Sequence, residues 1–135
     1  MKTKAVIDTN VFVSGIFFAS PPSRILRAWA DGQIQIAVSE EIIKEYKRVI
    51  DILADRLGQV DVDSILELLL IEAELVGSYS LKEAVCEDPE DDKFLACAVA
   101  SKSRYLISGD RHLLKIGEYL STVIVTPRYF IDNLL

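Results

Sequence analysis

Short apolar runs alternate with longer segments of helical period along the whole chain, and this alternation constrains the fold more than any other feature. The first run, Lys4-Ala5-Val6-Ile7, reads as a short buried strand closed by the polar Asp8-Thr9-Asn10. An apolar segment over residues 11–18 follows, with helix favoured over strand. Ser20-Pro21-Pro22-Ser23 marks a break and a helix start, with Ser20 or Ser23 as the cap. Ile25, Leu26, Trp29 and Ala30 have helical spacing up to Asp31-Gly32, and residues 34–38 alternate like a strand. Ser39 caps a helix running to about Ala54, a third spans about Asp61 to Glu74, and Leu75-Val76-Gly77 is a candidate short strand. Asp88-Pro89 opens another helix, with Asp88 at the cap and Pro89 at the first position. It continues through residues 94–100, apolar on almost every side and so expected to be deeply buried. Residues 104–107 form the next strand, ending at Ser108-Gly109-Asp110, and a short helix holds Leu113 and Leu114. Residues 122–125 are the last strand, and Thr126-Pro127 starts the final helix.

Strands and helices in alternation over 135 residues predict one α/β domain, residues 1–135, as a three-layer α/β/α arrangement. Its mostly parallel central sheet should have about four to five strands. Ligands of such sheets bind beyond the carboxyl ends of the strands. Half the residues are hydrophobic and 27% are charged, a globular balance rather than a disordered one. No apolar run reaches the roughly 18–20 residues of a membrane span, and the run before Asp8 is too short for a signal-peptide core. The expected location is the cytoplasm.

The composition narrows the chemistry. Cys86 and Cys97 form no disulfide framework, and no Cys/His spacing suggests zinc. His112 is the single histidine and has no cysteine near it, and no G-x-S-x-G is present, so nucleophilic triads find no support. Carboxylates are the abundant reactive groups. The net charge of -6 and pI of about 4.8 speak against a nucleic-acid binder if taken alone. A cluster of acids that holds cations accounts for part of that excess.

Asp8 and Asp110 each sit just past a short apolar strand, and a parallel sheet brings both strand ends to one edge. The plainer reading of either acid is a helix cap. Glu45 adds an independent argument. At about 100° per residue, Ile42, Tyr46, Val49, Ile50, Ile52 and Leu53 form one apolar face, and Glu45 falls inside it. A carboxylate there is costly unless it is paired or bound to a cation, so either a salt bridge or a metal is expected. The segment Cys86-Glu87-Asp88-Pro89-Glu90-Asp91-Asp92-Lys93 holds five acids, more than capping requires. Asp92 precedes Leu95, Ala96 and Val99 on a face that should pack on the sheet. Hard divalent cations such as Mg²⁺ and Mn²⁺ prefer oxygen ligands of this kind, and they serve phosphoryl displacement.

In this order the motifs resemble those of PIN-domain nucleases, of the VapC-like kind found as toxins in prokaryotic toxin–antitoxin pairs. The resemblance rests on Asp8-Thr9-Asn10, on residues 39–46, on residues 88–95 and on Ser108-Gly109-Asp110, and covers nearly the whole chain. It implies a PIN-like fold, with Asp8, Glu45, Asp92 and Asp110 as the catalytic and metal-ligating acids and Mg²⁺ or Mn²⁺ as cofactor. It also implies endonucleolytic cleavage of RNA and a cognate antitoxin as partner. Asn10 and Ser108 match supporting polar positions, and Thr9 is structural. Asp88 and Asp91 match a common acidic stretch, with Asp91 as the alternative to Asp92. RNA must pass a negative surface, and Lys93 and Arg111 are the nearest candidate cations, followed by Lys115, Arg24 and Arg27. The apolar residues 11–18 and the Ile25/Leu26/Trp29 face are candidates for partner or homodimer contacts, or for plain core. Three rivals remain. An aspartate-dependent phosphatase would want D-x-D, and this chain has Asn10 at the second acid position. A response-regulator-like switch would want neighbouring acids after the first strand. A PIN-like protein that binds RNA or a partner without catalysis would not need four acids.

Overall fold

Ala5, Val6 and Ile7 are wholly buried in succession, so the first strand is covered on both faces, as the centre of a parallel sheet must be. The computed structural model describes residues 2–57 and 61–135. Its strands are β1 (Thr3–Ile7), β2 (Ile34–Ser39), β3 (Glu74–Val76), β4 (Tyr105–Ile107), β5 (Glu118–Tyr119) and β6 (Thr122–Val125). They lie in the order β3-β2-β1-β4-β6-β5, parallel except where β5 meets β6. The sheet therefore has six strands among the described residues rather than four to five. The additional strand is β5, two residues long and joined to β6 by a turn in which Leu120 takes φ 52°. Two residues carry no readable period, and a turn built on leucine lacks the usual glycine signal.

The helices are α1 (Thr9–Phe17), α2 (Pro21–Ala30), α3 (Glu40–Leu57), α4 (Val62–Glu72), α5 (Asp92–Ser101), α6 (Arg111–Ile116) and α7 (Pro127–Leu134). Most starts follow the expected caps: Ser20 and Ser23 form a capping box before α2, Ser39 accepts from Ile42 N–H, and Thr126 accepts from Tyr129 N–H ahead of Pro127. Asp88 differs. It caps a single 3₁₀ turn, Pro89–Asp91, and α5 begins only at Asp92. Along α3, Ile42, Tyr46 and Ile50 are buried as the period requires, but Ile52 is exposed. The α5 helix lies across β1, β2, β3, β4 and β6, filling one outer layer with Phe94, Leu95, Cys97 and Ala98. The α1, α2 and α7 helices pack together, with α2 on β2, in the opposite layer. Phe12 and Trp29 join α1 and α2 at 6.5 Å between ring centroids.

The chain first builds outward from β1 through β2 to β3, then returns to the other side of β1 with β4. The carboxyl ends of β1 and β4 therefore flank the switch point, where parallel sheets leave a crevice. Tyr46 fixes one wall of that crevice. Its ring stacks on Phe12 at 4.1 Å, and its buried hydroxyl donates to the Ile7 carbonyl at the last residue of β1. Tyr46→Phe keeps the stack and removes this donor from a dry site. It should cost about 1–3 kcal/mol, read as a lower urea midpoint at unchanged m. An unchanged midpoint would mean that the bond does not hold the strand end.

Candidate active site

Asp8 follows β1 directly and Asp110 stands three residues beyond β4. Each caps the helix behind it: Asp8 accepts from Val11 N–H at 2.9 Å, and Asp110 accepts from His112 N–H at 2.8 Å. Capping and site roles coexist, because a cap uses one carboxylate oxygen and leaves the other. The second oxygen of Asp8 accepts from the Ser108 hydroxyl, which is fully buried. The same hydroxyl accepts from the Asp110 backbone N–H at 3.0 Å. One serine thus ties the ends of β1 and β4 together. Burial pushes the Asp8 carboxyl up to about 6. Bonds from Ser108 and Val11 oppose the rise, and negative charge on Asp110 and Asp91 adds to it.

The acidic turn contributes Asp91 rather than Asp92 to this crowd. Asp91 is partly buried, and its carboxyl is pushed up by burial and then by Asp88 and Asp110. Lys93 opposes the rise, and Glu45 adds to it. Asp92 instead accepts from Cys86 N–H at 2.7 Å and Val85 N–H at 3.3 Å, pinning the loop before the turn. The helical phase that favours Asp92 does put it on the face of Ala96, but there that face lines a cleft of about 440 Å³ with Tyr79, Leu81 and Glu90. Asp88 is exposed and caps the 3₁₀ turn through Glu90 N–H. Asn10 is exposed on the other flank, where it lines a cleft of about 390 Å³ with Gly109 and Asp110.

Glu45 turns inward as its phase requires and is met by chain groups on both oxygens. Lys93 Nζ lies 2.7 Å from Oε1, and the Thr9 hydroxyl donates to Oε2. The salt-bridge expectation for this face is realised, with lysine. Burial works to raise the Glu45 carboxyl, but Lys93, Thr9 and the charge of Arg48 outweigh it and hold the group below its ordinary value. Two contributors escape a sequence reading. Thr9 reads as structural yet holds Glu45, and Arg48 lies one turn beyond Glu45 without any motif to mark it. Arg111, Lys115, Arg24 and Arg27 are exposed, and none forms an ion pair among the described residues. The His112 imidazole meets the Glu87 carboxylate. Both cysteines are buried and free, and burial raises both thiols, that of Cys97 to about 12, which removes them as nucleophiles.

Among the described residues, no three His, Cys, Asp or Glu side chains close around a metal position. The donor chemistry fits a hard divalent cation all the same. Asp8, Asp91 and Asp110 offer only oxygen, and the charges of Asp91 and Asp110 act on the buried Asp8 carboxyl.

A parallel α/β/α domain with carboxylates crowded at its switch point defines the class. The chain belongs to the PIN-domain family: the PIN domain model matches residues 4–112. PIN domains are generally nucleases and typically use divalent metal ions. The chain is 30% identical over 146 residues to the uncharacterized protein MJ1680 of Methanocaldococcus jannaschii, an overlap of 98% of this chain and 92% of that one. Its fold is similar to the crystal structure of PAE2754 from Pyrobaculum aerophilum, with a TM-score of 0.61 at 16% identity over 98% of this chain and 89% of the other. No helix among the described residues is long and apolar enough to cross a membrane.

The raised Asp8 carboxyl has a consequence for stability. Its value in the fold, about 6, lies above the 3.8 of an ordinary aspartate, so the native state takes up this proton before the unfolded chain does. Stability therefore falls as pH rises from about 4 to about 6, and above that the full penalty of a buried charge is present. Asp8→Asn should remove that slope and stabilise the metal-free protein at pH 7.5 by about 1–3 kcal/mol. Chemical denaturation across this pH range checks it, and a destabilised Asp8→Asn protein at pH 7.5 would contradict it.

Proposed function

We propose that this chain is a metal-dependent endoribonuclease, with Mg²⁺ or Mn²⁺ as cofactor, hydrolysing RNA phosphodiester bonds at the β1–β4 crevice. The observation that carries the reading is the crowding of Asp8, Asp91 and Asp110 at the switch point. A divalent ion relieves that repulsion. These three carboxylates would hold it. Asp91 is preferred to Asp92, whose carboxylate is engaged with Val85 and Cys86. When bound, such an ion activates water and stabilises the departing oxygen. The chain's own residues orient and admit. Ser108 and Val11 N–H fix the Asp8 carboxylate, and Asn10 offers an exposed amide on the rim. Arg111 and Lys115, exposed beside Asp110, offset the negative surface for an incoming phosphate chain, with Arg24 and Arg27 further out.

We further infer a toxin role in the cytoplasm, with a cognate antitoxin protein as partner and homodimer formation as a second association, since PIN nucleases are often paired with antitoxins. A competing reading, RNA or partner binding without cleavage, draws on the absence of a closed ligand set among the described residues. The two readings separate in one experiment. RNA is incubated with the chain and with Asp8→Asn, in Mg²⁺, Mn²⁺ or chelator, and the RNA ends are sequenced. The nuclease reading expects new ends only with wild type plus metal, whereas intact RNA bound equally well in chelator supports the competitor.

A series across the acids tests the ligand set. Loss of one ligand charge removes several kcal/mol of transition-state stabilisation, on the order of 10²–10³ in rate. Asp8→Asn, Asp91→Asn and Asp110→Asn should each fall by that factor, and Asp92→Asn should stay within about tenfold of wild type. The reverse ranking of Asp91 and Asp92 would overturn the assignment.

A further inference from the structure

Lys93 reads from sequence as a cation for RNA, but its side chain is only 10% exposed. Its Nζ lies 2.7 Å from Glu45 Oε1, donates to the Glu90 carbonyl at 2.7 Å and stands 3.6 Å from the Glu90 carboxylate. The second Glu45 oxygen is taken by the Thr9 hydroxyl. Both oxygens of the fourth acid are therefore occupied by the chain itself, and the occupants are sequence neighbours of the other acids: Thr9 follows Asp8, and Lys93 lies two beyond Asp91. An ammonium has three donors, of which two are used here.

We propose that the Lys93 ammonium stands in for a second divalent cation, so that the site takes one metal ion at Asp8, Asp91 and Asp110 while Glu45 serves as the anchor of the lysine. The inference rests on the metal-dependent reading above. The charges favour it. With Glu45 and Lys93 neutralising each other, three carboxylates remain. They suffice for one divalent ion, and a second would have to find ligands without Glu45, both of whose oxygens are taken. Without Lys93, four carboxylates balance two divalent ions. The Glu90 carboxylate and the Phe94 ring, 5.3 Å from Nζ to its centroid, enclose the ammonium on its remaining sides. Lys93 acts here as a positioning and charge-setting group, not as a metal ligand.

Mn²⁺ binding to the full chain tests this without reference to activity, with stoichiometry from calorimetry and ion–ion coupling from electron paramagnetic resonance. Wild type should bind one magnetically isolated Mn²⁺, Lys93→Met two coupled ions, and the charge-conserving Lys93→Arg one. Two ions in wild type, or one in a Lys93→Met protein folded by circular dichroism, overturns the role of Lys93 and leaves the metal site standing. No Mn²⁺ bound by wild type overturns both. Should Lys93→Met fail to fold, the wild-type and Lys93→Arg stoichiometries decide: one isolated ion in each supports the inference, and two in either overturns it.

Discussion

At the end of β4, the buried Ser108 hydroxyl donates to the Asp8 carboxylate and accepts from the Asp110 N–H. The rest of the site depends on this bridge. It joins strands that are far apart in sequence but adjacent in the sheet, and it fixes one acid by its side chain and the other by its backbone. A hydroxyl suits the position because it donates and accepts at once. The Asp8 carboxylate is thereby held within reach of the negative charge of Asp110, and its own burial withholds the water that would screen it. That repulsion is the physical basis for expecting a cation.

Two further anchors keep the crevice from relaxing. Tyr46 ties α3 to the last residue of β1 and stacks on α1, while Glu45, its neighbour, reaches Thr9 on α1 and Lys93 on α5. The α3 helix touches both outer layers, which lets one turn of it act as a strut across the site. Asp92 performs a comparable task for the loop before α5. Much of the acidic segment therefore holds the turn in shape: Asp88 caps it and Asp92 pins the preceding loop, while Asp91 is the one of the three whose charge acts on Asp8.

How far the sequence could be read follows from which forces are local. Strand ends, caps and the buried phase of α3 are set by neighbours a few residues away, so Asp8, Asp110 and the inward turn of Glu45 were legible. The different surroundings of Asp91 and Asp92 were not. Helical phase puts Asp92 on the right face of α5 but does not reveal its bonds from Val85 and Cys86, and Asp91 lies in the 3₁₀ turn over Pro89–Asp91, outside that period. The partners of Thr9 and Lys93 lie across helix contacts and leave no local trace. The β5 strand escaped for a different reason: two residues paired to β6 through a leucine turn have neither period nor turn signal.

The most direct measurement is an NMR titration of the Asp8 carboxyl carbon with and without saturating Mg²⁺. The crowded, metal-free crevice predicts a midpoint near about 6. Mg²⁺ at Asp8 should drive it below the ordinary aspartate value. An Asp8 midpoint that Mg²⁺ leaves unmoved would contradict the account.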